Sequence, residues 1–331
     1  MYFFRREKVQ CRYQFSLRDA VDLTLLQRAL TTALASAPYY TQRLVQEKRE
    51  MWLEPNTEPC LVYPGSTMRN IPEETNGYLF CVSCEGDTIY FDWHHFLLDG
   101  HGVSPLFTSI LEQYCNLRYG TAFAVQQIVC DPPYDMDTML AEHPPVEGGS
   151  DAIQRDVVQT YEGTLRRTRV CLSKQSLVEK ALANNAKPVS ALMGLLCMAM
   201  REYLGKEKIQ YSYSSDTRDV AGVPNALYNC VCSFEHTVQL QAQTRLADFI
   251  SDVDADIKRD LQPQSKRRRM TEQMGWVYKV NQQKAPLRIK QRVFQMGEYI
   301  GGTISDFWLS YLGNPLMPAT PELAQYTTDF G

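Results

Sequence analysis

This chain lacks the features that define several large protein classes. No apolar run approaches the ~20 residues that a membrane-spanning helix needs, and the N-terminus carries no apolar segment followed by a cleavage site. The ten cysteines are scattered, and the C-x-x-C pair at Cys81 and Cys84 has no second pair at zinc-site spacing. We therefore predict a cytoplasmic protein with reduced thiols, no metal and no membrane span.

Charge and glycine patterns argue against two further classes. The 34 basic and 38 acidic side chains give a formal net charge of -4, which offers no general attraction to nucleic acid or to an anionic membrane. No glycine-rich loop of the P-loop or dinucleotide type is present, so nucleotide-dependent chemistry is not expected. At 331 residues the chain is long for one core and suits two lobes.

Histidine is scarce, with five in the chain, yet His94 and His95 are adjacent. Residues 88–95 alternate apolar and polar side chains, as a strand does. The turn sequence around Gly86 predicts that this strand forms a hairpin with residues 78–84. The alternation predicts that His95 lies on the apolar face and His94 on the other. A buried histidine at a strand end can keep a near-neutral pKa and act as a general base.

The residues after this strand predict a turn followed by a helix. Asp99 and Gly100 lie where the chain must reverse, and Ser104 and Pro105 predict the N-cap and the first residue of the helix. A metal site at the two histidines is disfavoured because adjacent strand residues point to opposite faces. The alternative that His95 is an ordinary turn residue with no chemical role stays open at this point.

The segment from His94 to Gly100, His-His-Phe-Leu-Leu-Asp-Gly, resembles the HHxxxDG motif of the chloramphenicol-acetyltransferase-like superfamily. That superfamily includes condensation domains of peptide synthetases, alcohol acetyltransferases and polyketide-associated acyltransferases. Residues 26–44 resemble its first helix. The resemblance implies an α/β fold, a two-lobed sandwich with mixed sheets and a tunnel between the lobes.

The composition of residues 131–150 indicates how the lobes are joined. This stretch is rich in proline, glycine and acidic residues, which is typical of an extended crossover linker. We predict that it connects an N-terminal lobe at 1–130, which carries the motif, to a C-terminal lobe at 151–331. In the second lobe, residues 209–215 predict a strand and residues 245–260 a helix. Family members continue for some tens of residues further, so the resemblance implies a second lobe that is either compact or incomplete at its C-terminus.

The resemblance also implies roles for the motif residues. His95 would be the base that deprotonates an alcohol, amine or thiol, which then attacks an acyl thioester. Asp99 would shape the turn and pair with an arginine, while His94 and Gly100 support the framework. The resemblance places that arginine at Arg218, after the predicted strand. A surface arginine paired with a neighbouring aspartate is the alternative.

Two further residues match the family more loosely. Asn229 stands where the family has an asparagine before a strand, and it could line the channel or be a turn asparagine. Ser310 lies in an S-x-x-G strand, where its hydroxyl could help to hold the oxyanion of a tetrahedral intermediate or be an ordinary strand serine. The basic run at 266–269 is either a solvated loop or helix end, or a contact for the phosphates of coenzyme A or phosphopantetheine.

Together these residues predict an acyltransferase of the alcohol acetyltransferase type. It would move an acyl group from acyl-coenzyme A or an acyl-carrier protein to a small-molecule alcohol or amine, with the thioester as co-substrate and no bound cofactor. Two alternatives stay open. One is a carrier-protein-dependent condensation domain that forms amides, and the other is a non-catalytic member that acts as a binding or scaffold protein.

Overall fold

The computed structural model describes residues 10–144, 170, 172–301, 305–311 and 322–330. The strands are β1 (Gln10–Leu17), β2 (Gln42–Gln46), β3 (Met51–Pro55), β4 (Val62–Pro64), β5 (Phe80–Glu85), β6 (Thr88–His94), β7 (Lys208–Asp216), β8 (Val231–Gln239), β9 (Phe307–Leu309) and β10 (Thr327–Phe330). The helices are α1 (Leu23–Ala35), α2 (Gly100–Tyr119), α3 (Met136–Glu142), α4 (Lys174–Ala183), α5 (Pro188–Leu204), α6 (Arg218–Ala221), α7 (Leu246–Asp260), α8 (Pro263–Gln282) and α9 (Leu287–Gly301). Within the described residues, two larger sheets are covered by helices, and β2 and β3 form a separate two-stranded antiparallel sheet.

The first lobe is built on a five-stranded mixed sheet with the order β10-β1-β6-β5-β4. The predicted hairpin is confirmed, because β5 and β6 pair antiparallel with Phe80 opposite Trp93. The inward side chains of β6 share one core with those of α1 and α2. Helix α1 begins after Asp22, whose Oδ1 caps it by accepting the N–H groups of Thr24 and Leu25.

The second lobe is built on a three-stranded sheet with the order β8-β7-β9, in which β7 is antiparallel to β8 and parallel to β9. The strand predicted at 209–215 and the helix predicted at 245–260 are confirmed as β7 and α7. Apolar side chains of α5 and α7 join Tyr211 and Tyr213 in one core. The hydroxyl of Tyr213 is satisfied there by Asp260 Oδ2 at 2.7 Å, as a buried polar group requires.

Two parts of the predicted domain division differ from the structure. The last strand, β10, pairs with β1 in the first sheet instead of joining the second lobe, and Leu323 packs in the first core. The predicted linker at 131–150 contains the helix α3, which Asp135 caps by accepting the N–H of Asp137. Residues 145–150 of that linker lie outside the described residues. Composition alone did not reveal the short helix, and the strand pairing depends on residues far apart in the chain.

Helix α2 begins earlier than the sequence predicted. Its N-cap is Asp99, whose Oδ1 accepts the N–H of Gly102 at 2.8 Å, so Gly100 is its first residue. The prediction of Ser104 as N-cap is therefore wrong, and Pro105 lies inside the helix. Aspartate and serine are comparable N-caps, and the Ser104 hydroxyl instead donates to the carbonyl oxygen of Gly100 at 3.1 Å.

Helix α2 packs against the segment after α6 at a position that only glycine fits. A Cβ built on Gly102 would lie 1.9 Å from the carbonyl oxygen of Leu227. Leu227 is buried in the core of the first lobe, and its N–H donates to Cys130 Sγ at 3.3 Å. The backbone that follows α6 therefore lies directly on the first lobe.

Among the described residues, no helix is long and apolar enough to cross a membrane.

We expect Gly102→Ala to destabilise the protein by at least about 2 kcal/mol, because the backbone of Leu227 must move to admit the methyl group. Gly275→Ala is the matched control. Its Cβ would also lie close to a neighbour, at 2.8 Å, but that neighbour is the flexible end of the Leu140 side chain. Chemical denaturation of both variants measures the difference. Equal stability of the two variants would show that the approach at Gly102 is not tight.

Candidate active site

The two motif histidines occupy different environments. Strand β6 ends at His94, whose ring is buried and whose Nδ1 accepts the N–H of Phe96 at 3.1 Å. His95 is the first residue of the following turn and is partly exposed. The prediction that His95 lies on the buried face of the strand is therefore wrong, because the strand stops before the alternation reaches it.

The carbonyl of Leu98 determines which nitrogen of His95 carries the proton. His95 Nδ1 lies 2.9 Å from Leu98 O, and since a carbonyl oxygen only accepts, Nδ1 must be the protonated nitrogen. Nε2 is then the nitrogen that can accept a proton. The indole N–H of Trp93 donates to the same carbonyl at 3.1 Å, which holds that oxygen in place. The contact thus holds the ring with Nδ1 towards Leu98 and Nε2 away from it.

Asn229 contacts His95 from the segment that precedes β8. Its Nδ2 lies 3.2 Å from His95 Nδ1 and 3.3 Å from the carbonyl oxygen of His95. With Nδ1 protonated, the amide donates to the carbonyl oxygen, because two donors cannot share a hydrogen bond. Asn229 Oδ1 accepts the N–H of Val231 at 3.2 Å, which anchors the amide on β8. The residue predicted on a channel wall is therefore in direct contact with the predicted base.

Asp99 is buried where the motif turn meets the second half of the chain, with its side chain 2% exposed. Its Oδ1 accepts the N–H of Gly102 at 2.8 Å and Arg218 Nη2 at 2.9 Å. Its Oδ2 accepts the N–H of Cys230 at 2.9 Å. The predicted ion pair of Asp99 with Arg218 is present. One carboxylate therefore joins α2, α6 and the start of β8.

Arg218 is buried as deeply, with its side chain 5% exposed. Besides Asp99, its guanidinium donates to Ala226 O at 2.7 Å, Tyr228 O at 3.0 Å and Asp216 Oδ1 at 3.1 Å. Burial alone would lower the pKa of Arg218, but the hydrogen bond and the charge of Asp99 raise it above its ordinary value. The arginine therefore stays charged, and the alternative of a surface arginine is wrong.

Ser310 and the basic run at 266–269 take no part in these contacts. Ser310 directly follows β9 and is exposed, so its part in oxyanion stabilisation stays a prediction. The basic run lies near the start of α8, where Lys266 pairs with Asp219 at 2.5 Å. Arg269 donates to Ser233 O at 2.5 Å. These two side chains are held by the protein, which leaves them poorly placed to bind a phosphate.

Two tyrosines whose roles the sequence did not indicate hold the motif turn. Tyr39 Oη donates to Leu97 O at 3.0 Å, and Tyr40 Oη donates to Gly102 O at 2.6 Å. Burial raises the pKa of both phenols, so both remain donors. The adjacent tyrosines lie inside the stretch that resembles the first family helix. The sequence shows that both residues are aromatic, but it does not predict which carbonyl oxygens their hydroxyl groups contact.

Comparison with known proteins gives relatives in structure only. Neither a protein-family model nor a curated protein matches the sequence. Polyketide synthase associated protein 5 from Mycobacterium tuberculosis aligns over 97% of this chain and 82% of its own, with a TM-score of 0.62 and 17% identity. The epimerization domain from the third module of tyrocidine synthetase B aligns over 78% and 69%, with a TM-score of 0.56 and 12% identity. The first condensation domain of the CDA synthetase aligns over 78% and 69%, with a TM-score of 0.53 and 14% identity.

These similarities define the class of fold. The chain has the two-lobed α/β architecture of condensation domains, the chloramphenicol-acetyltransferase-like fold, with mixed sheets in the described residues. The fold predicted from the HHxxxDG resemblance is thus confirmed, while the interlobe tunnel and the roles of the site residues stay predictions. Identities this low show the fold and leave the reaction to be argued from the site.

We expect Asp99→Asn to destabilise the protein by about 3 kcal/mol or more, because Arg218 keeps its charge while its buried partner loses one. Arg218→Ala should have a similar effect, and the double variant should be much less destabilised than the sum of the two. Denaturant titration of the three variants completes the cycle.

Asp248→Asn is the control for this cycle. It breaks the exposed pair of Asp248 with Arg245, so its unfolding midpoint should stay close to that of the wild type. Additive effects of Asp99→Asn and Arg218→Ala would contradict the ion pair.

We also expect the neutral His95 ring to carry its proton on Nδ1 and not on Nε2, because Leu98 O accepts from Nδ1. ¹⁵N NMR of histidine-labelled protein at about pH 9, where a free imidazole is neutral, distinguishes the two tautomers. A His95→Gln sample identifies the signal. Asn229→Ala should leave the tautomer unchanged. A proton on Nε2 would mean that Nδ1 accepts from Asn229 instead and that the predicted base atom is wrong.

Proposed function

We propose that this protein transfers an acyl group from a thioester on a carrier protein to an amine or alcohol acceptor, with His95 as general base. The observation that carries the proposal is the contact of His95 Nδ1 with Leu98 O at 2.9 Å. It leaves Nε2 as the proton acceptor on a residue that is partly exposed. A general base must present a nitrogen that accepts a proton near the protein surface, and this geometry supports that role for His95.

The reaction needs only one proton carrier. His95 Nε2 takes the proton from the N–H or O–H of the acceptor as the acceptor attacks the thioester carbonyl. Collapse of the tetrahedral intermediate breaks the C–S bond, and the leaving thiolate takes the proton back from the imidazolium. Cys230 is a poor nucleophile for a covalent alternative, because burial raises its pKa to about 12 and its thiol stays protonated at neutral pH.

The structural relatives favour a carrier-bound donor. Two of them are domains of peptide synthetases, one of these a condensation domain, and the third is named as polyketide synthase associated. A condensation domain takes its donor from a carrier protein and forms an amide. Transfer from acyl-coenzyme A to an alcohol is the second candidate. It would use the same proton transfer at His95 Nε2.

We expect His95→Ala to lower the rate of acyl transfer by roughly 10²–10⁴-fold, the usual contribution of a general base. The assay offers acetyl and longer acyl groups on coenzyme A and on a phosphopantetheinylated carrier protein, with pooled amines and alcohols, and detects products by mass spectrometry. His143→Ala, a histidine at the end of α3, is the control and should keep full activity.

The donor that supports turnover separates the two candidates. Full activity of His95→Ala would contradict the proposed base. A wild-type protein inactive with both donors would favour the binding or scaffold alternative.

A further inference from the structure

Helix α9 turns an apolar face towards solvent. Ile289, Val293 and Met296 lie at positions i, i+4 and i+7, so they share one side of the helix. Their exposed fractions are 52%, 37% and 57%. Phe294 and Lys290 lie on the side of the helix that faces the protein and are buried. A surface helix ordinarily places polar residues opposite its buried side, so the exposed stripe points to a binding surface.

The stretch around this stripe is basic. Residues 273–297 contain five lysines and arginines and no acidic residue, in a chain whose net charge is -4. Arg288 and Arg292 are exposed and lie one turn apart beside the stripe. The nearby turn between β2 and β3 touches α9 through Lys48 O, which accepts the N–H of Leu287, but that turn carries as many basic as acidic residues.

Trp276 extends the surface onto α8. Its ring packs edge-on against Phe294 with the centroids 5.1 Å apart, and the residue is 41% exposed. Lys279 follows one turn later and is exposed. Tryptophan combines a large apolar ring with an N–H donor, a combination enriched at membrane–water interfaces. We call these residues the basic apolar face: Trp276, Lys279, Arg288, Ile289, Arg292, Val293 and Met296.

We propose that the basic apolar face binds the protein to an anionic membrane surface, with α9 lying in the plane of the lipid headgroups. The basic side chains match the negative charge of such a surface. Three aliphatic side chains on the convex side of a helix can enter the boundary between headgroups and acyl chains without a groove to receive them. A protein partner would need a complementary cleft.

The overall charge of the chain does not oppose this binding. Exposed charges farther away than about 8 Å are largely screened at physiological ionic strength, so the local excess of basic residues governs the attraction. Such binding is peripheral and needs no spanning helix. The proposal does not depend on the acyl-transfer function, since none of its residues contacts His95, Asp99 or Arg218 through the hydrogen bonds described above.

Vesicle flotation of the full chain tests the proposal. The vesicles are phosphatidylcholine alone and phosphatidylcholine mixed with phosphatidylserine. We expect the protein to float with the mixed vesicles, to stay behind with the neutral ones, and to be released by high salt. The double variant Ile289→Glu and Val293→Glu, and separately Arg288→Glu and Arg292→Glu, should each weaken binding roughly tenfold or more.

Leu182→Glu is the matched control, because it adds the same charge at an exposed leucine of α4 that lies outside the face. It should bind as the wild type does. All changed side chains are exposed, and thermal melts establish that each variant is folded. Failure of the wild type to float with either vesicle would overturn the proposal and leave an acidic protein as the occupant of the face. Equal loss of binding in Leu182→Glu would overturn it as well.

Discussion

The buried ion pair between Asp99 and Arg218 is the interaction on which the rest of the site depends. Moving a charge out of water costs several kcal/mol, and the cost is offset only when hydrogen bonds replace the lost hydration. Here the two charged groups are hydrogen-bonded by backbone groups from α2, from the segment after α6 and from the start of β8. The pair joins positions 119 residues apart. It can form only when the motif turn and the second half of the chain pack against each other in one particular arrangement.

The position of His95 follows from that docking. The carbonyl oxygen that orients its ring belongs to Leu98, next to Asp99, so a shift of the carboxylate would also shift the carbonyl. Asn229, which donates to the carbonyl oxygen of His95, is the neighbour of Cys230 in the chain. The N–H of Cys230 donates to the same carboxylate of Asp99. The buried carboxylate of Asp99 and the His95 ring are thus separated by a few residues. The ion pair is closed to solvent, while His95 beside it is partly exposed.

Helix α8 serves two purposes in the second lobe. Its inner side covers the edge strand β8, where Gln273 binds both the N–H and the carbonyl oxygen of Ser233, at 3.1 Å and 3.0 Å. Such coverage keeps a strand edge from pairing with another chain. Its outer side and α9 together expose the basic apolar face. The lobe therefore prevents another chain from pairing with the backbone of β8 at this edge. On its outer side it presents the basic apolar face, which we propose binds through its apolar side chains and its positive charge.

The sequence by itself determined the elements whose signals are local. Alternation identified β6, the pattern at residues 245–260 predicted α7, and the motif pointed to His95 and Asp99. Its resemblance to known families, and not any spacing, suggested Arg218 as the partner of Asp99. Only the tertiary structure decided that β6 stops before His95, that α2 starts at the ion pair, that β10 returns to the first sheet and that Asn229 reaches His95. The pairing of β10 with β1 and the contact of Asn229 with His95 join groups far apart in the chain, and such a contact leaves no periodic signal in either segment.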